Sequence, residues 1–292
     1  MIYLIASIFL TSYLTLSFKV LERLRINNMQ AIVFNYLTCV VTGSLVNGSF
    51  PVNNYNLQQP WFKWALLMGF SFIVLFNIIA FSAQKIGVAI TSVANKLSLV
   101  IPFLFSLYLY SEPYTLLKIA GVLVAVIAVV FTCWPKANHP PKTKPNYSIL
   151  LGIPAILFIG SGLLDTMVKY VEQNFLNDTN FDDYLVTAFA TAGTIGSITL
   201  LVFFATGRQR FSLKAVLAGI AIGVPNYFSI WCLMKVLKQY AGNSSAIFPI
   251  INMGIVLFSA LMAMLLFKEH LSKINWVGVI LSLAAIALIA FG

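Results

Sequence analysis

Charge is what this sequence has least of. Only 9% of its 292 residues are Asp, Glu, Lys or Arg, against about 25% in soluble globular domains, while 60% are hydrophobic. Folded in water, such a chain would leave most of its apolar surface wet, which the hydrophobic effect opposes. Lipid solvates that surplus directly. Histidine is scarce too. The two present, His139 and His270, stand far apart, and no acidic pair shares a helix face, so the clustered acid–base or metal-binding groups of an enzyme are missing. There is no Walker-type phosphate loop, which removes ATP as a direct energy source on this chain. The three cysteines, Cys39, Cys133 and Cys232, are scattered in or beside apolar runs. They fit neither a disulfide framework nor a zinc spacing and read as small apolar side chains. No metal and no other cofactor is expected.

What the sequence does have is long apolar runs. A helix crossing the hydrocarbon needs roughly 20 mostly apolar residues, and ten such runs can be read: 2–19, 30–48, 62–83, 88–110, 116–134, 148–169, 185–206, 213–236, 244–267 and 273–291. The first begins without a basic segment or a small-residue cleavage site, so it reads as a transmembrane helix rather than a signal peptide. The net charge of +10 comes from Lys and Arg placed singly or in small groups between runs. That pattern suits anionic headgroups and not nucleic acid. The expected fold is all-α: a polytopic membrane protein of ten transmembrane helices.

A Pro- and Lys-rich linker at 136–146 divides the chain into 1–135 and 147–292. The halves repeat. The segment from Glu112 to Gly121 lies over that from Glu269 to Gly278 at an offset of 157, and Asn95 falls on Asn252 at the same offset. Lys19 and Lys169 close the first helix of each half. With five helices per half, the second enters from the opposite side, giving two inverted repeats. Loops after helices 1, 3, 5, 7 and 9 hold twelve Lys and Arg, from Lys19 to Lys273, against Lys63, Lys118, Lys169, Lys235 and Lys238 on the other side. The positive-inside rule then puts the first set in the cytoplasm. Both termini, and the cluster Asp178, Asp182 and Asp183, fall outside.

Each half thus ends in a short Glu-containing loop followed by a small-residue helix bearing Gly121 or Gly278. In this the chain resembles the drug/metabolite transporter superfamily, EamA type, over segments 109–130 and 267–290, with His270 standing where the first loop has Pro113. The resemblance implies a secondary carrier with a central cavity built from helices 1, 3 and 4 and their mates 6, 8 and 9. It implies little about cargo. The run Ala94-Asn95-Lys96 is similar to an Asn-Lys element of some nucleotide-sugar carriers, although that element is associated with the second half.

Polar side chains inside the runs are the candidate site. An ionisable group in hydrocarbon costs about 2.5–3.5 kcal/mol on insertion scales, so it faces a cavity or a partner. Lys96 lies too deep in helix 4 to snorkel easily from the nearer end. It is expected to bind an anionic group or to carry a coupling proton, the bland alternative being a lysine tied to helix-end carbonyls or to an internal ion pair. Thr91, Asn95 and Ser98 share a face with Pro102. Ser245, Pro249, Asn252 and Ser259 trace a similar stripe in helix 9, and Ser7, Thr11 and Thr15 do so in helix 1; such stripes also serve helix packing. Pro102, Pro225 and Pro249 are expected to interrupt helices 4, 8 and 9. Asn226, Tyr227 and Trp231 beside Pro225 suit a small organic ligand, or ordinary core packing. Asn77 and Gln84 share a face of helix 3. Asp165 either pairs with Lys169 within helix 6 or carries a coupling proton. Glu112 and Glu269 are expected to cap the helix that follows each of them.

Taken together, these residues predict a non-ATP secondary transporter in the cytoplasmic (inner) membrane, working by alternating access on a small polar metabolite, anionic or amino-acid-like. Export, exchange and facilitated diffusion are all compatible with them. The partners expected are that small molecule and the bilayer, with no nucleic acid, in a monomer or homodimer. The alternatives are an intramembrane lipid-modifying enzyme and a non-transporting sensor or scaffold.

Overall fold

The computed structural model describes residues 2–48, 50, 54–109, 115–134, 147–177, 179–239 and 244–291. The 136–146 linker, Glu112, His139 and Asp178 lie outside them, as do the side chains at 245 and 249. The described residues hold helices and no strand. These are α1 (Ile2–Arg23), α2 (Asn28–Asn47), α3 (Asn54–Leu57), α4 (Phe62–Lys85), α5 (Val88–Leu97), α6 (Val100–Leu109), α7 (Leu116–Thr132), α8 (Tyr147–Phe175), α9 (Phe181–Ala205), α10 (Leu213–Gln239), α11 (Ser244–Phe267) and α12 (Lys273–Phe291). Eight candidate membrane spans result, with Val88–Phe105 of α5 and α6 counted as one; α7 and α12 are shorter apolar helices. Outward-facing residues are apolar: Leu116 is 85% exposed and Leu45 77%. Side chains of this kind are at home only in lipid, so the chain is an integral multi-pass membrane protein.

Helix ends follow local chemistry. Asn27 accepts from Gln30 N at 3.1 Å to start α2, and Thr115 accepts from Lys118 N to start α7. At α12, Ser272 Oγ accepts from Asn275 N (3.2 Å) while Asn275 Oδ1 accepts from Ser272 N (3.0 Å), a reciprocal box that satisfies two end donors.

One expected helix is broken. The fourth run divides at Ser98–Leu99 into α5 and α6. Pro102 has no N–H to give the Ser98 carbonyl, and Ile101 N takes that acceptor instead, at 2.9 Å, which tightens the turn to i→i−3. Gly162 of α8 lies against the tightened turn. A Cβ there would stand 2.8 Å from Ser98 O and 2.5 Å from Ile101 Cδ1. The other two prolines behave differently from expectation: α10 runs on through Pro225 and α11 through position 249. A proline removes one backbone bond and bends a helix without having to end it.

The chain forms two compact units, each described by itself. The first comprises Met1–Lys19, Phe81–Leu163 and Ser229–Gly292; the second comprises Val20–Ala80 and Leu164–Phe228. In the first unit α7 packs along α12. Gly121 meets Ala285, Leu288 and Ile289, and Gly278 meets Phe131 and Thr132, so the two helices run antiparallel. An apolar cluster joins Val93 and Leu97 of α5, Val256 of α11 and Val279 and Ile286 of α12. In the second unit α2 runs antiparallel to α9, with Gly193 on Leu37 and Gly196 on Val33. Along α10, Gly219 and Gly223 admit Ala31, Asn35 and Thr38 of α2.

Connections pair by parity. In the second unit Gln30, at the α1–α2 connection, donates to Arg210 O at 2.8 Å and accepts from Ser212 N at 3.1 Å at the α9–α10 connection. At that unit's other end, Asn56 donates to Asp183 at 2.9 Å. In the first unit Asn275, at the α11–α12 connection, donates to the end of α7, reaching Phe131 O, Thr132 O and Trp134 O at 3.2, 2.8 and 3.0 Å.

Candidate functional site

In the first unit the candidate site is built on α5. Its apolar residues Val93 and Leu97, with Val100 at the start of α6, belong to the cluster with α11 and α12. Thr91, Asn95 and Ser98 recur at the same spacing two residues earlier, about 200° around the helix, and so occupy the opposite side. Thr91 is buried, its Oγ1 2.7 Å from Ser82 Oγ and 2.7 Å from Gly87 O, to which it donates. Ser98 is buried and donates to Asn95 O at 2.5 Å. Asn95 and Lys96 are half-buried. Ser92 is buried with no partner for its hydroxyl. On α11, which packs on α5, Asn252 and Ser259 are buried, and the Ser259 hydroxyl has no partner. On α1, Ser7 and Thr15 are buried and Thr11 half-buried, so the expected stripe faces inward. Trp231 is elsewhere in this unit, at 5.8 Å from the Tyr3 ring and with Lys235 Nζ 5.1 Å from its own ring.

Glu269 caps a different helix from the one expected. Its carboxylate accepts from Val88 N at 3.0 and 3.1 Å and from Ala89 N at 3.4 Å, so it closes the N-terminus of α5; Ser272 and Asn275 close α12. The reason is the turn that carries it. Lys268 adopts a left-handed φ of 56°, while Lys268 N and Glu269 N bond back to Met264 O and Ala263 O. That conformation is costly for a side-chain-bearing residue, and it delivers the carboxylate to α5 instead of letting it run into α12. Opposite stands Gly87 at φ 129°, where an added Cβ would lie 3.0 Å from Glu269 Oε2. Beside them Lys19 Nζ donates to Gln84 O at 2.7 Å, and Gln84 Nε2 donates to Phe18 O at 2.8 Å. Each side chain thus serves a backbone carbonyl of the other's helix.

In the second unit a buried amide pair forms the polar centre. Asn226 of α10 donates to Asn35 Oδ1 of α2 at 3.1 Å. Asn35 Nδ2 finds no partner, and Cys39 Sγ lies 3.3 Å from Gly223 O as a donor. Tyr227 is fully buried, its ring against Gly43 and its hydroxyl without a partner. Tyr184 and Thr187 of α9 are likewise buried with unpartnered hydroxyls. Buried donors without acceptors are rare in folded proteins, and they suit water or a polar ligand. Asn77 instead donates to Ile73 O of its own helix at 2.7 Å, and Asp165 is half-buried on α8. Asn35 was not singled out from the sequence. The signal was present, since an amide deep in an apolar run needs a partner, but nothing in the sequence pairs it with Asn226.

Comparisons with known proteins point the same way as the sequence. Residues 155–291 match the family described as EamA-like transporter family. Over these residues the chain is similar to that family. The drug/metabolite transporter likeness read from the two Glu-containing segments is therefore borne out. Over 272 residues, 92% of this chain and 90% of the relative, it is 28% identical to an uncharacterized protein of Haemophilus influenzae. A solved crystal structure has the same fold at a TM-score of 0.62 and 16% identity, covering 98% of this chain and 94% of that one. EamA-like proteins are membrane transporters, and the apolar helices described above accord with that.

Proposed function

We propose that this EamA-like chain is a secondary carrier, not driven by ATP, that moves a small polar metabolite across the cytoplasmic membrane by alternating access. The observation that carries the reading is α5–α6. An apolar span is broken at Ser98–Leu99, with Thr91, Asn95 and Ser98 on one side and half-buried Lys96 just before the break. Irregular backbone and a lysine at this depth are tolerated where they line a cavity or hold a partner. Lys96 is the anchor for a carboxylate or phosphate group of the cargo, with Asn95, Thr91, Ser98, Asn252 and Thr11 as neutral hydrogen-bonding groups. Trp231, in the same unit, is proposed to contribute a further cargo contact, and Asn226, Tyr227 and Asn77 are proposed as polar groups of the second unit taken by itself. Asp165, or Lys96 itself, is the group proposed to exchange a coupling proton.

Support for ten crossings in two inverted repeats, 1–135 and 147–292, comes from several places. The eight candidate spans together with α7 and α12 make ten. Among the described residues, the hydrogen bonds between connections join ones expected on the same side. The antiparallel pairs α2–α9 and α7–α12 join helices that are mates in the repeat. With the Lys- and Arg-rich connections in the cytoplasm, both termini lie outside.

The test is thermal stabilisation of wild type and Lys96→Ala across a metabolite library. One chemical class is expected to stabilise the wild type by several degrees and to lose that effect in the mutant, and the same class should be taken up by proteoliposomes. A wild-type protein that moves nothing from a broad panel would overturn the carrier reading. An unchanged ligand response in Lys96→Ala would remove Lys96 as the anchor.

A further inference from the structure

We infer that the Asp183 end of the second unit binds neutral hydroxyl oxygen, that of water or of a hydroxylated solute. Of the ten buried side-chain nitrogen and oxygen atoms that find no partner among the described residues, eight belong to this unit. Five of them stand on side chains no more than 2% exposed: Asn35 Nδ2, Trp61 Nε1, Tyr184 Oη, Thr187 Oγ1 and Tyr227 Oη. Native interiors rarely leave such groups unmet, because each forfeits its hydration on burial.

The five lie along one run of contacts. Gly43 of α2 is where the helices meet, since a Cβ there would lie 2.5 Å from Val186 of α9 and 2.8 Å from the Tyr227 ring of α10. Thr187 is the next residue along α9. Tyr184 lies nearer the start of that helix, with the Trp61 ring 6.1 Å from its own and nearly perpendicular. Asn35 sits about two turns from Gly43 along α2 and accepts from Asn226, the residue before Tyr227. Burial alone does not explain the missing bonds. Tyr36, also on α2, is likewise 1% exposed, yet its hydroxyl donates to Phe72 O at 2.9 Å.

The donor set selects the ligand. An indole N–H and an amide N–H can only donate, and a hydroxyl can do either. The run therefore calls for oxygen lone pairs, which a cation does not offer. Asp182 and Asp183 open α9 and already answer the positive end of that helix, so an anion would meet carboxylates there. What remains is a neutral oxygen, able to bridge several of these groups at once as buried water does with about three partners. The inference does not rest on transport by this chain.

Hydroxyl radicals made in place by X-rays mark a buried side chain only where water stands beside it. The full chain in nanodiscs is irradiated, and the oxidation rates of its tyrosines are compared. Tyr184 and Tyr227 are expected to label several-fold faster than Tyr36, which is buried as deeply, with exposed Tyr55 reporting the dose. Unfolding temperature supplies a second measure. Removing a bonded hydroxyl destabilises, whereas removing a buried one that has no partner stabilises. Tyr184→Phe and Tyr227→Phe should therefore each unfold below the wild type, as Tyr36→Phe should. Labelling at Tyr184 and Tyr227 that slows, relative to Tyr55, when the neutral polyol myo-inositol is added assigns the site to solute hydroxyls; labelling that it leaves unchanged assigns the site to water. Rates no faster than that of Tyr36, or Phe variants that unfold above the wild type, overturn the inference. A chain that gives the expected rates and moves no solute would sink the carrier reading and leave this site standing.

Discussion

Asn275→Leu is expected to be the most destabilising conservative-volume substitution in the first unit. The Asn275 amide nitrogen serves three carbonyls at the end of α7, and its oxygen completes the box that starts α12. The residue is 1% exposed, so water does not readily replace those bonds. Each buried polar group left unsatisfied costs about 1–3 kcal/mol. Losses at neighbouring groups overlap, and the expected total is roughly 3–4 kcal/mol, read as a fall in unfolding temperature in detergent. Asn275→Asp separates the two roles. It keeps the acceptor for Ser272 N but sets a negative charge against three carbonyl oxygens. If the clamp on α7 dominates, Asp is worse than Leu. If the box dominates, Asp is nearly as good as Asn, and the clamp account fails.

Glu269→Ala should follow, at roughly 2–3 kcal/mol, from loss of a charged cap on the first-turn amides of α5. Glu269→Gln keeps the shape and one acceptor oxygen but loses the charge that meets the helix dipole, so it should fall between wild type and Ala. The effect is expected to be local. Hydrogen exchange at Val88 and Ala89 should rise well before exchange in α7 or α12 does. Uniform loosening of all three helices would mean that Glu269 is a general structural residue and not the cap of α5.

Much of the fold was legible in the sequence because lipid imposes one demand on every crossing. The spans of α1, α2, α4 and α9 lie within a few residues of the apolar runs, and Pro102 marked the division of the fourth run. What escaped were contacts between residues far apart in the chain. Glu269 reaches Val88 across 181 residues, and Asn226 reaches Asn35 across 191; no periodicity encodes such partners. Pro225 misled for a different reason. The sequence shows the missing N–H but not whether neighbouring helices hold the bend, and α10 continues through it. Asn77 donates to the backbone of its own helix, a competition open to any short polar side chain in a helix that its spacing from Gln84 does not reveal.

All three thiols are buried: Cys39, Cys133 and Cys232. Burial keeps reagent away from each of them, so alkylation of the folded protein should be slow. Membrane-impermeant maleimide should therefore label the folded wild type far below one equivalent and react fully only after denaturation. The native chain then supplies its own silent background for single-cysteine accessibility mapping. A new cysteine at Thr206, Lys214 or Leu116 would report which face of the membrane it meets without any native thiol first being removed.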